Sequence, residues 1–403
     1  MFIEEGSRKT PIKGTFDVIV CGGGIAGISA ALASARSGAK TMLIEKQYLL
    51  GGLATAGLVT IYLPLCDGNG RQVSFGIAEE LLRLSVKYGY ESACGDGEDK
   101  YCPAWLEGGT AEEKKSKRFE VQFNANLYAI LCEKLLLENG VEILYGTSVC
   151  SAITENGKIT ALITENKGGR AGYTAKSFVD ASGDADICLL SGEKTVEFKQ
   201  GNVLASWYYE HLGQKYRLRM LGFSDVPDKY KTKTENSAAR RYAGLSGEEL
   251  SDMVINAHTS ILNDFLKRGG ISEDHALGTV ATTPQIRMTR RIDGKYTMND
   301  EEQFKYFEDS IGMISDWRKS GPVYEIPFAT LHGATIKNLI ACGRCISVTD
   351  DMWDISRVIP ACAVTGQAAG TAAAISNDFS EINIAELQQK LSSNGVVLHT
   401  ENI

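Results

Sequence analysis

Residues 16–45 read FDVIVCGGGIAGISAALASARSGAKTMLIE, and this stretch decides the fold. Phe16–Cys21 is a short apolar run rich in β-branched residues, which predicts a buried strand. Ile25–Ser37 is rich in alanine and other small residues and predicts a helix, and Thr41–Glu45 predicts a second strand. The stretch is therefore a βαβ unit whose first turn consists of consecutive glycines.

The glycines of this turn have the spacing of a dinucleotide-binding motif. Gly22, Gly24 and Gly27 follow the first strand and open the helix, and Glu45 ends the second strand. In such a motif the first glycine permits the tight turn, and the second lets backbone N–H groups approach a pyrophosphate. The third glycine permits close helix–strand packing, and the helix N-terminus favours the anion. Glu45 is placed to accept hydrogen bonds from ribose hydroxyls. The alternative is a glycine-rich turn without a ligand.

The composition limits the function classes. The chain has 403 residues, which predicts two or three domains. Its 42 basic and 50 acidic residues give a net charge of −8, which argues against general binding to nucleic acid or to an anionic membrane. Ten cysteines are too few for a disulfide scaffold.

Residues 18–35 are apolar, but glycines interrupt them, so we interpret them as strand, turn and helix rather than as a signal peptide. We expect a cytoplasmic protein without a membrane segment.

Further elements follow along the chain. Asn126–Asn139 predicts an amphipathic helix, and Asn156-Gly157 between two strand-like runs predicts a hairpin. Ser246–Glu249 has the pattern of a capping box for a helix with Met253, Ile261, Leu262 and Phe265 on one apolar face.

Late in the chain, the pattern of strand, glycine and alanine-rich helix returns. Asn338–Arg344 predicts a strand that runs into a glycine, and Arg357–Gly370 predicts a helix start rich in small residues. A helix N-terminus there, against the pyrimidine end of a flavin, would stabilise negative charge that develops on reduction. The alternative is a helix that uses small residues only for tight packing.

We expect an α/β fold with one nucleotide-binding domain built from discontinuous segments and a second domain inserted in it. The expected limits are 14–90, 118–199 and 329–403 for the three parts of the first domain, 91–117 for a surface excursion and 200–328 for an α+β substrate or cap domain.

Seven segments together resemble one family. The chain resembles the FAD-dependent oxidoreductases among the glutathione-reductase-like two-dinucleotide-fold flavoproteins, which are distantly similar to fumarate reductase flavoprotein subunits. The segments that carry the resemblance are 17–45, 51–57, 180–186, 287–294, 324–328, 343–347 and 357–370.

The resemblance implies a Rossmann-like FAD-binding domain and a set of cofactor-binding residues. Gly22, Gly24 and Gly27 would hold the pyrophosphate, and Asp184 and Gly343 would lie by the phosphate and the ribityl chain. Val149 would meet the adenine. The full expected set is Gly22, Gly24, Ile25, Ala26, Gly27, Glu45, Lys46, Gly51, Gly52, Leu53, Ala54, Thr55, Val149, Ala181, Gly183, Asp184, Gly343, Arg344, Ala368 and Ala369.

Arg357, Asp350 and Arg344 are the candidates for catalysis. The two arginines flank the expected flavin region and could hold a substrate anion or polarise a carbonyl, or they could form structural ion pairs. Asp350, in a carboxylate cluster with Asp351 and Asp354, could act as a general acid or base, or could lie in a solvated loop. Relatives often have a histidine where this chain has Asp350, so the proton transfer of those relatives cannot be copied to this chain.

Other motifs favour structural interpretations. Cys342 and Cys345 have thiol–disulfide spacing, but a late strand is not the usual place for a redox pair. The basic cluster of Arg287, Arg290 and Arg291 could recognise an anion or form interdomain ion pairs. The basic run 215–241 is interleaved with acids and is typical of a solvated face. No histidine or cysteine spacing predicts a metal site.

We expect an FAD-dependent dehydrogenase or reductase that transfers a hydride between a small organic substrate and flavin N5. The alternatives are a non-redox flavin isomerase or hydratase, and a flavin subunit that passes electrons to a protein partner. We expect FAD to be bound noncovalently, although attachment through Cys or Tyr stays open. The electron donor or acceptor and any homo-oligomer are not specified by the sequence.

Overall fold

The computed structural model describes residue 3 and residues 6–90, 103–222 and 240–403. The strands are β1 Ile12–Cys21, β2 Thr41–Ile44, β3 Ile61–Tyr62, β4 Val121–Gln122, β5 Glu142–Leu144, β6 Ser148–Glu155, β7 Lys158–Asn166, β8 Gly169–Asp180, β9 Thr195–Glu197, β10 Ser206–Leu212, β11 Lys215–Leu221, β12 His275–Val280, β13 Arg290–Ile292, β14 Ser310–Ser315, β15 Val323–Pro327 and β16 Leu339–Ala341. The α-helices are α1 Ile25–Arg36, α2 Ile77–Ser85, α3 Pro103–Leu106, α4 Ala111–Ser116, α5 Ala125–Glu138, α6 Asp186–Ser191, α7 Gly247–Lys267, α8 Asp350–Ser356, α9 Ile359–Ile375 and α10 Ile384–Ser393.

A central sheet combines strands from both ends of the chain. Its order is β5-β2-β1-β8-β7-β6, and β16 also pairs with β8. The pairs β1–β2, β1–β8, β2–β5 and β8–β16 are parallel, whereas β6 and β7 form an antiparallel hairpin whose second strand also runs antiparallel to β8. The late strand β16 therefore joins the early βαβ unit in one sheet, which is the discontinuous α/β architecture that the sequence predicts.

Helices α1 and α9 pack against each other at very short distance. A Cβ on Gly366 would lie 2.3 Å from the carbonyl oxygen of Ala26, and one on Gly370 would lie 2.0 Å from that of Ala30. These positions accept only glycine because any side chain would push the two helix backbones apart. The small residues of α9 are thus explained by packing along most of its length.

The cap is smaller than the segment 200–328. Strands β11, β10 and β12 form an antiparallel sheet in that order, and α7 packs on β10. The later strands of the segment belong with the first domain, because β13 pairs with β9 and β14 packs on α9. The cap's own sheet and helix therefore lie within 206–280, and the rest of 200–328 completes the body of the protein.

Local predictions agree with the structure at most of these elements. The β6–β7 turn has positive φ at both Asn156 (50°) and Gly157 (73°), as a two-residue hairpin turn requires. At α7, Ser246 Oγ accepts the Glu249 N–H, but the Glu249 carboxylate accepts from Ala243 and Gly244, so the predicted capping box is only half formed.

The apolar face predicted for α7 needs one correction. Leu262 is 55% exposed, whereas Met253, Ile261 and Phe265 are buried.

Two sequence predictions fall partly outside the described residues. These are residues 91–102 of the surface excursion and residues 223–239 of the basic run. In the described remainder of the excursion, α4 is exposed, but Trp105 of α3 is buried and stacks on Phe119 at 5.2 Å between ring centroids.

Within the described parts of the chain, no single helix is long and apolar enough to cross a membrane. Helices α8 and α9 reach that length only together, and they meet at a bend of 91°.

Candidate functional site

The carboxyl ends of four parallel strands meet at one edge of the central sheet. Cys21 of β1 is in register with Ile44 of β2 and with Asp180 of β8, and Asp180 is in register with Ala341 of β16. The loops after these strands border a cavity of about 550 Å³. Ligands of open α/β sheets bind at this edge, so the cavity is the candidate site.

Most of the residues singled out from the sequence line this one cavity. They are Gly22, Gly24, Ile25, Ala26, Glu45, Lys46, Gly51, Gly52, Leu53, Ala54, Val149, Ala181, Gly183, Asp184, Arg344 and Arg357. Six others lie outside its lining: Gly27, Thr55, Gly343, Asp350, Ala368 and Ala369.

The glycine turn is shaped by two close approaches. Gly22 has φ +107°, and a Cβ there would lie 2.4 Å from the Ala181 carbonyl oxygen. A Cβ on Gly27 would lie 1.8 Å from the Gly22 carbonyl oxygen, so Gly27 serves the packing of α1 and not the cavity surface. By contrast, a Cβ on Gly24 would meet no protein atom within 4 Å. The backbone at Gly24 is therefore open to a ligand.

Two helix N-termini without side-chain caps lie at the cavity. The N-cap residues Gly24 of α1 and Val358 of α9 provide no side-chain hydrogen bond to their helices. Free N–H groups at a helix start attract negative charge. Both helix starts thus offer positive partial charge to an anionic ligand.

Glu45 fixes the opposite side of the glycine turn. Its carboxylate is buried, with Oε2 accepting the Gly23 N–H at 2.6 Å and Oε1 accepting the Gln47 N–H at 2.8 Å. Each oxygen keeps a second lone pair for a hydroxyl donor from the cavity. This geometry suits the ribose contact expected from the sequence.

Thr55 supports the second glycine loop from behind. The Thr55 side chain is buried and its hydroxyl donates to the Leu50 carbonyl oxygen, while Leu53 and Ala54 face the cavity. Thr55 is therefore a supporting residue in this structure.

The segments 180–186 and 287–291 are tied together beside the cavity. Thr289 donates to Asp184 Oδ1 at 2.7 Å, and Arg290 donates to Asp186 Oδ1 at 2.8 Å. The Arg291 guanidinium lies over Trp353, 5.8 Å from the ring centroid. Arg290 thus forms an ion pair, as one of the two alternatives for this basic cluster expected, but both residues of the pair lie in the first domain.

The two candidate arginines have different partners. Arg344 donates from NH1 to the carbonyl oxygens of Ile286 (3.0 Å) and Arg287 (2.8 Å), and its NH2 lies 3.6 Å from Asp184 Oδ1. Arg357 donates from Nε to Asp354 Oδ1 at 3.1 Å. Arg344 therefore ties the first domain to the segment after the cap, and Arg357 is held by a fully buried carboxylate.

Asp350 lies in the first turn of α8 and not in a solvated loop. Partial burial raises the pKa of Asp350, and the nearby Arg291 opposes this shift. Because Asp350 does not line the cavity, it is not positioned to exchange a proton with a molecule there.

Only the start of α9 reaches the cavity. Ile359 and Cys362 line it, whereas Ala368 and Ala369 are completely buried further along the helix that packs on α1. Gly343 lies behind Arg344, and a Cβ there would be 2.6 Å from Ala26 Cβ. These three residues shape the site from the interior.

Sequence reasoning missed the segment 282–286, here called the strap, which lines the cavity through Thr282, Thr283, Pro284 and Ile286. Thr283 Oγ1 accepts a hydrogen bond from Gln47, which lines the cavity as well. Further contacts anchor the strap, with Thr282 N–H donating to Ala56 O at 2.8 Å and Gln285 to Gly57 O at 2.7 Å. Nothing in the local sequence marks these long-range contacts.

The described cysteines are all free. Burial raises the pKa of Cys342 and Cys345 well above the ordinary value, and Cys345 Sγ accepts the Ala185 N–H at 3.3 Å. These buried, protonated thiols favour the structural interpretation of the pair. The described residues contain no group of three or more His, Cys, Asp or Glu side chains arranged for a metal ion.

The lining of the cavity suits an extended dinucleotide. Gly24 and the start of α1 would accommodate a pyrophosphate and Glu45 a ribose, while Ile359 and Cys362 at the start of α9 also line the cavity. A sequence model of the FAD dependent oxidoreductase family matches residues 17–239 and 193–391. The chain belongs to this family. FAD is therefore its cofactor, it is an oxidoreductase, and the predicted Rossmann-like FAD-binding fold is confirmed.

Other comparisons give more distant similarities. Thioredoxin reductase of Ureaplasma parvum serovar 3 is 33% identical over 78 residues, which are 19% of this chain and a quarter (25%) of that protein. A geranylgeranyl bacteriochlorophyll reductase-like protein of Thermoplasma acidophilum is 15% identical, with a TM-score of 0.45 over 94% of this chain and 83% of its own. The 3-ketosteroid-delta4-(5alpha)-dehydrogenase of Rhodococcus jostii RHA1 is 14% identical, with a TM-score of 0.44 over 91% and 98%.

We expect the FAD affinity of this oxidoreductase to fall as the pH rises through about 6. Burial and the neighbouring Asp184 and Asp180 raise the pKa of Asp186, which lines the cavity, to about 6, against the opposing effects of Lys46 and Arg290. Below this pH the carboxyl is neutral, and above it a negative charge repels the FAD phosphates. We expect roughly fivefold weaker binding at pH 7.5 than at pH 5, or about 1 kcal/mol. FAD titrations of the apoprotein across this range measure the effect, and an equal pH dependence in Asp186→Asn would contradict it.

Proposed function

We propose that this oxidoreductase transfers a hydride between a small organic substrate and N5 of noncovalently bound FAD. The observation that carries the proposal is that one cavity is lined both by the dinucleotide loops and by the strap 282–286 next to the cap. A flavin that lies along the wall from Glu45 to Cys362 presents its ring toward the strap. The space between strap and ring is then the place for the substrate.

When bound, FAD supplies reversible two-electron chemistry at N5, and the protein supplies orientation and charge. The uncapped start of α9 offers positive partial charge to the far part of the cavity, where Ile359 and Cys362 lie. Arg344 and Arg357 also line the cavity and offer guanidinium N–H donors, although each lies beside a carboxylate, Asp184 and Asp354 respectively. These groups favour binding of an electron-rich or anionic molecule and polarisation of a carbonyl.

The thiols at the cavity support noncovalent attachment. Burial raises the pKa of Cys362 to about 11, and it raises the pKa of Cys21 well above the ordinary value. Thiols that stay protonated near neutral pH are poor nucleophiles toward a flavin ring. The electrons are exchanged in a second half-reaction with an external donor or acceptor.

An absorbance spectrum before and after acid precipitation tests cofactor attachment. We expect oxidised-flavin bands that move into the supernatant, and bands that remain in the pellet would contradict noncovalent binding. Candidate alcohols, hydroxy acids and saturated acyl compounds are then mixed anaerobically with the oxidised protein, and carbonyl or enoyl compounds with the reduced protein. Loss or recovery of the flavin bands is the expected result. Turnover without any change in the oxidation state of the substrate would favour an isomerase, and electron transfer only through a co-purifying protein would favour a flavin subunit.

A further inference from the structure

The outward face of α7 carries a line of exposed apolar side chains. The helix packs on β10 with its other face. On the outward face Ile255 is 63% exposed, Leu262 55% and Leu266 59%. Residues four and seven positions apart lie nearly above one another on an α-helix, so these three side chains form one continuous stripe, the α7 stripe.

The α7 stripe is not surrounded by charge. Residues 253–263, about three turns in the middle of α7, contain no Asp, Glu, Lys or Arg. Helix α5 gives the contrast, because its exposed Ile130 and Leu137 are separated by Lys134, whose Nζ lies 3.6 Å from Glu138 Oε1. The solvent face of a surface helix ordinarily carries such charges. An uncharged apolar stripe on an outward helix face is typical of an interaction surface.

The α7 stripe is complementary to itself. Ile255 and Leu262 lie equally far from the midpoint of the segment 251–266, and so do the exposed Ser251 and Leu266 at its ends. A second α7 that runs antiparallel therefore places its Leu262 against Ile255 and its Leu266 against Ser251. Each contact then occurs twice about a twofold axis at the midpoint, as an isologous dimer interface requires.

The unpaired charges at the two ends of α7 have opposite sign. Glu248 lies in the first turn, Lys267 is the last residue of the helix, and both are exposed. Within the parts of the chain that the structure describes, neither forms an ion pair. In the antiparallel arrangement Glu248 of one copy lies at the same end as Lys267 of the other, so both ends of the helix pair attract. A parallel arrangement would bring like charges together at each end.

We propose that the α7 stripe binds a second copy of this chain, with the two α7 helices packed antiparallel about a twofold axis. Burial of the apolar side chains drives association, and the end charges set the direction. One helix face is small compared with the roughly 800 Å² that each partner buries in a stable complex, so we expect a dissociation constant in the micromolar range. Leu250, which lines the cavity, lies on the inner side of α7. The dimer therefore uses no residue of the cavity, and the proposal does not rest on the proposed function.

Sedimentation velocity of the FAD-loaded protein, from about 1 to about 200 µM, tests the proposal. We expect the mass to rise with concentration from that of one chain to that of two. Leu262→Glu places a charge in the stripe of each copy and should raise the dissociation constant about 30-fold or more. Leu137→Glu is the matched control, because Leu137 is 56% exposed on α5 and its substitution should leave association unchanged. Flavin absorbance and the Tm check the fold of each variant.

Charge reversal tests the direction of the helices. Glu248→Lys and Lys267→Glu should each weaken association about fivefold, because like charges then meet at both ends of the helix pair. The variant with both substitutions should associate nearly as the wild type does, since the opposite charges meet again.

A mass of one chain at every concentration would overturn the proposal, and so would a dimer that Leu262→Glu leaves intact. Charge reversals that weaken association without recovery in the doubly substituted protein would rule out the antiparallel arrangement. If Leu262→Glu does not fold, the charge variants at the exposed helix ends still decide between these outcomes.

Discussion

Gly24→Ala is expected to fold normally and to lose tight FAD binding. The Gly24 backbone has φ −70° and ψ −179°, which alanine adopts without strain, and the new Cβ meets no protein atom within 4 Å. The methyl group would instead occupy the cavity at the start of α1, where a phosphate must approach backbone N–H groups. We expect the FAD dissociation constant to rise about 100-fold, equivalent to about 3 kcal/mol.

Fluorescence titration of the apoprotein with FAD measures this change, and circular dichroism and the apoprotein Tm report the fold. Gly247→Ala is the control, because a Cβ on Gly247 also meets nothing within 4 Å and Gly247 lies at the start of α7, outside the cavity lining. Wild-type FAD affinity in Gly24→Ala would contradict the assignment of the phosphate site. A large fall in the apoprotein Tm would show that the substitution acts on the fold and not on the site.

The first half of the site follows from local sequence. The strand, turn and helix of 16–45 and the Asn156-Gly157 hairpin depend on contacts between residues close in the chain, so propensity and turn chemistry predict them. The parallel alignment of β1 and β8 then brings Gly22 and Ala181 together, as the motifs require.

The other part of the site, formed by the strap and residues 287–291, depends on contacts between distant segments. No local sequence pattern encodes such contacts. Thr283 of the strap contacts Gln47, and Thr289 contacts Asp184, more than a hundred residues away in each case. The alanines of α9 could not be assigned a role from sequence for a different reason. Small residues suit both close helix packing and close approach of a cofactor. The sequence therefore could not distinguish the role of Ala368 and Ala369 from that of Cys362, one helix turn or more earlier.

Arg357→Met is expected to destabilise the protein by about 3 kcal/mol. The substitution removes the partner of Asp354, whose side chain is fully buried. Among the described residues, Asp354 then keeps one ion-pair partner, the more distant Arg318. A buried carboxylate without adequate pairing is costly, whereas a neutral pair of similar size is tolerated. Asp354→Asn combined with Arg357→Met should therefore recover most of the lost stability. Thermal unfolding of the wild type, Arg357→Met and the double variant, each with FAD bound, measures these changes, and we expect a fall in Tm of about 4 °C for the single variant.

The double variant also separates structure from catalysis at Arg357. This arginine lines the substrate part of the cavity, so a role in polarising or holding the substrate predicts that stability returns while turnover stays low. A purely structural ion pair predicts that both return together. We expect the first result. Reduction of the flavin by substrate should be about 100-fold slower in the double variant than in the wild type, with unchanged FAD content. Full recovery of the reduction rate would remove Arg357 from the catalytic candidates.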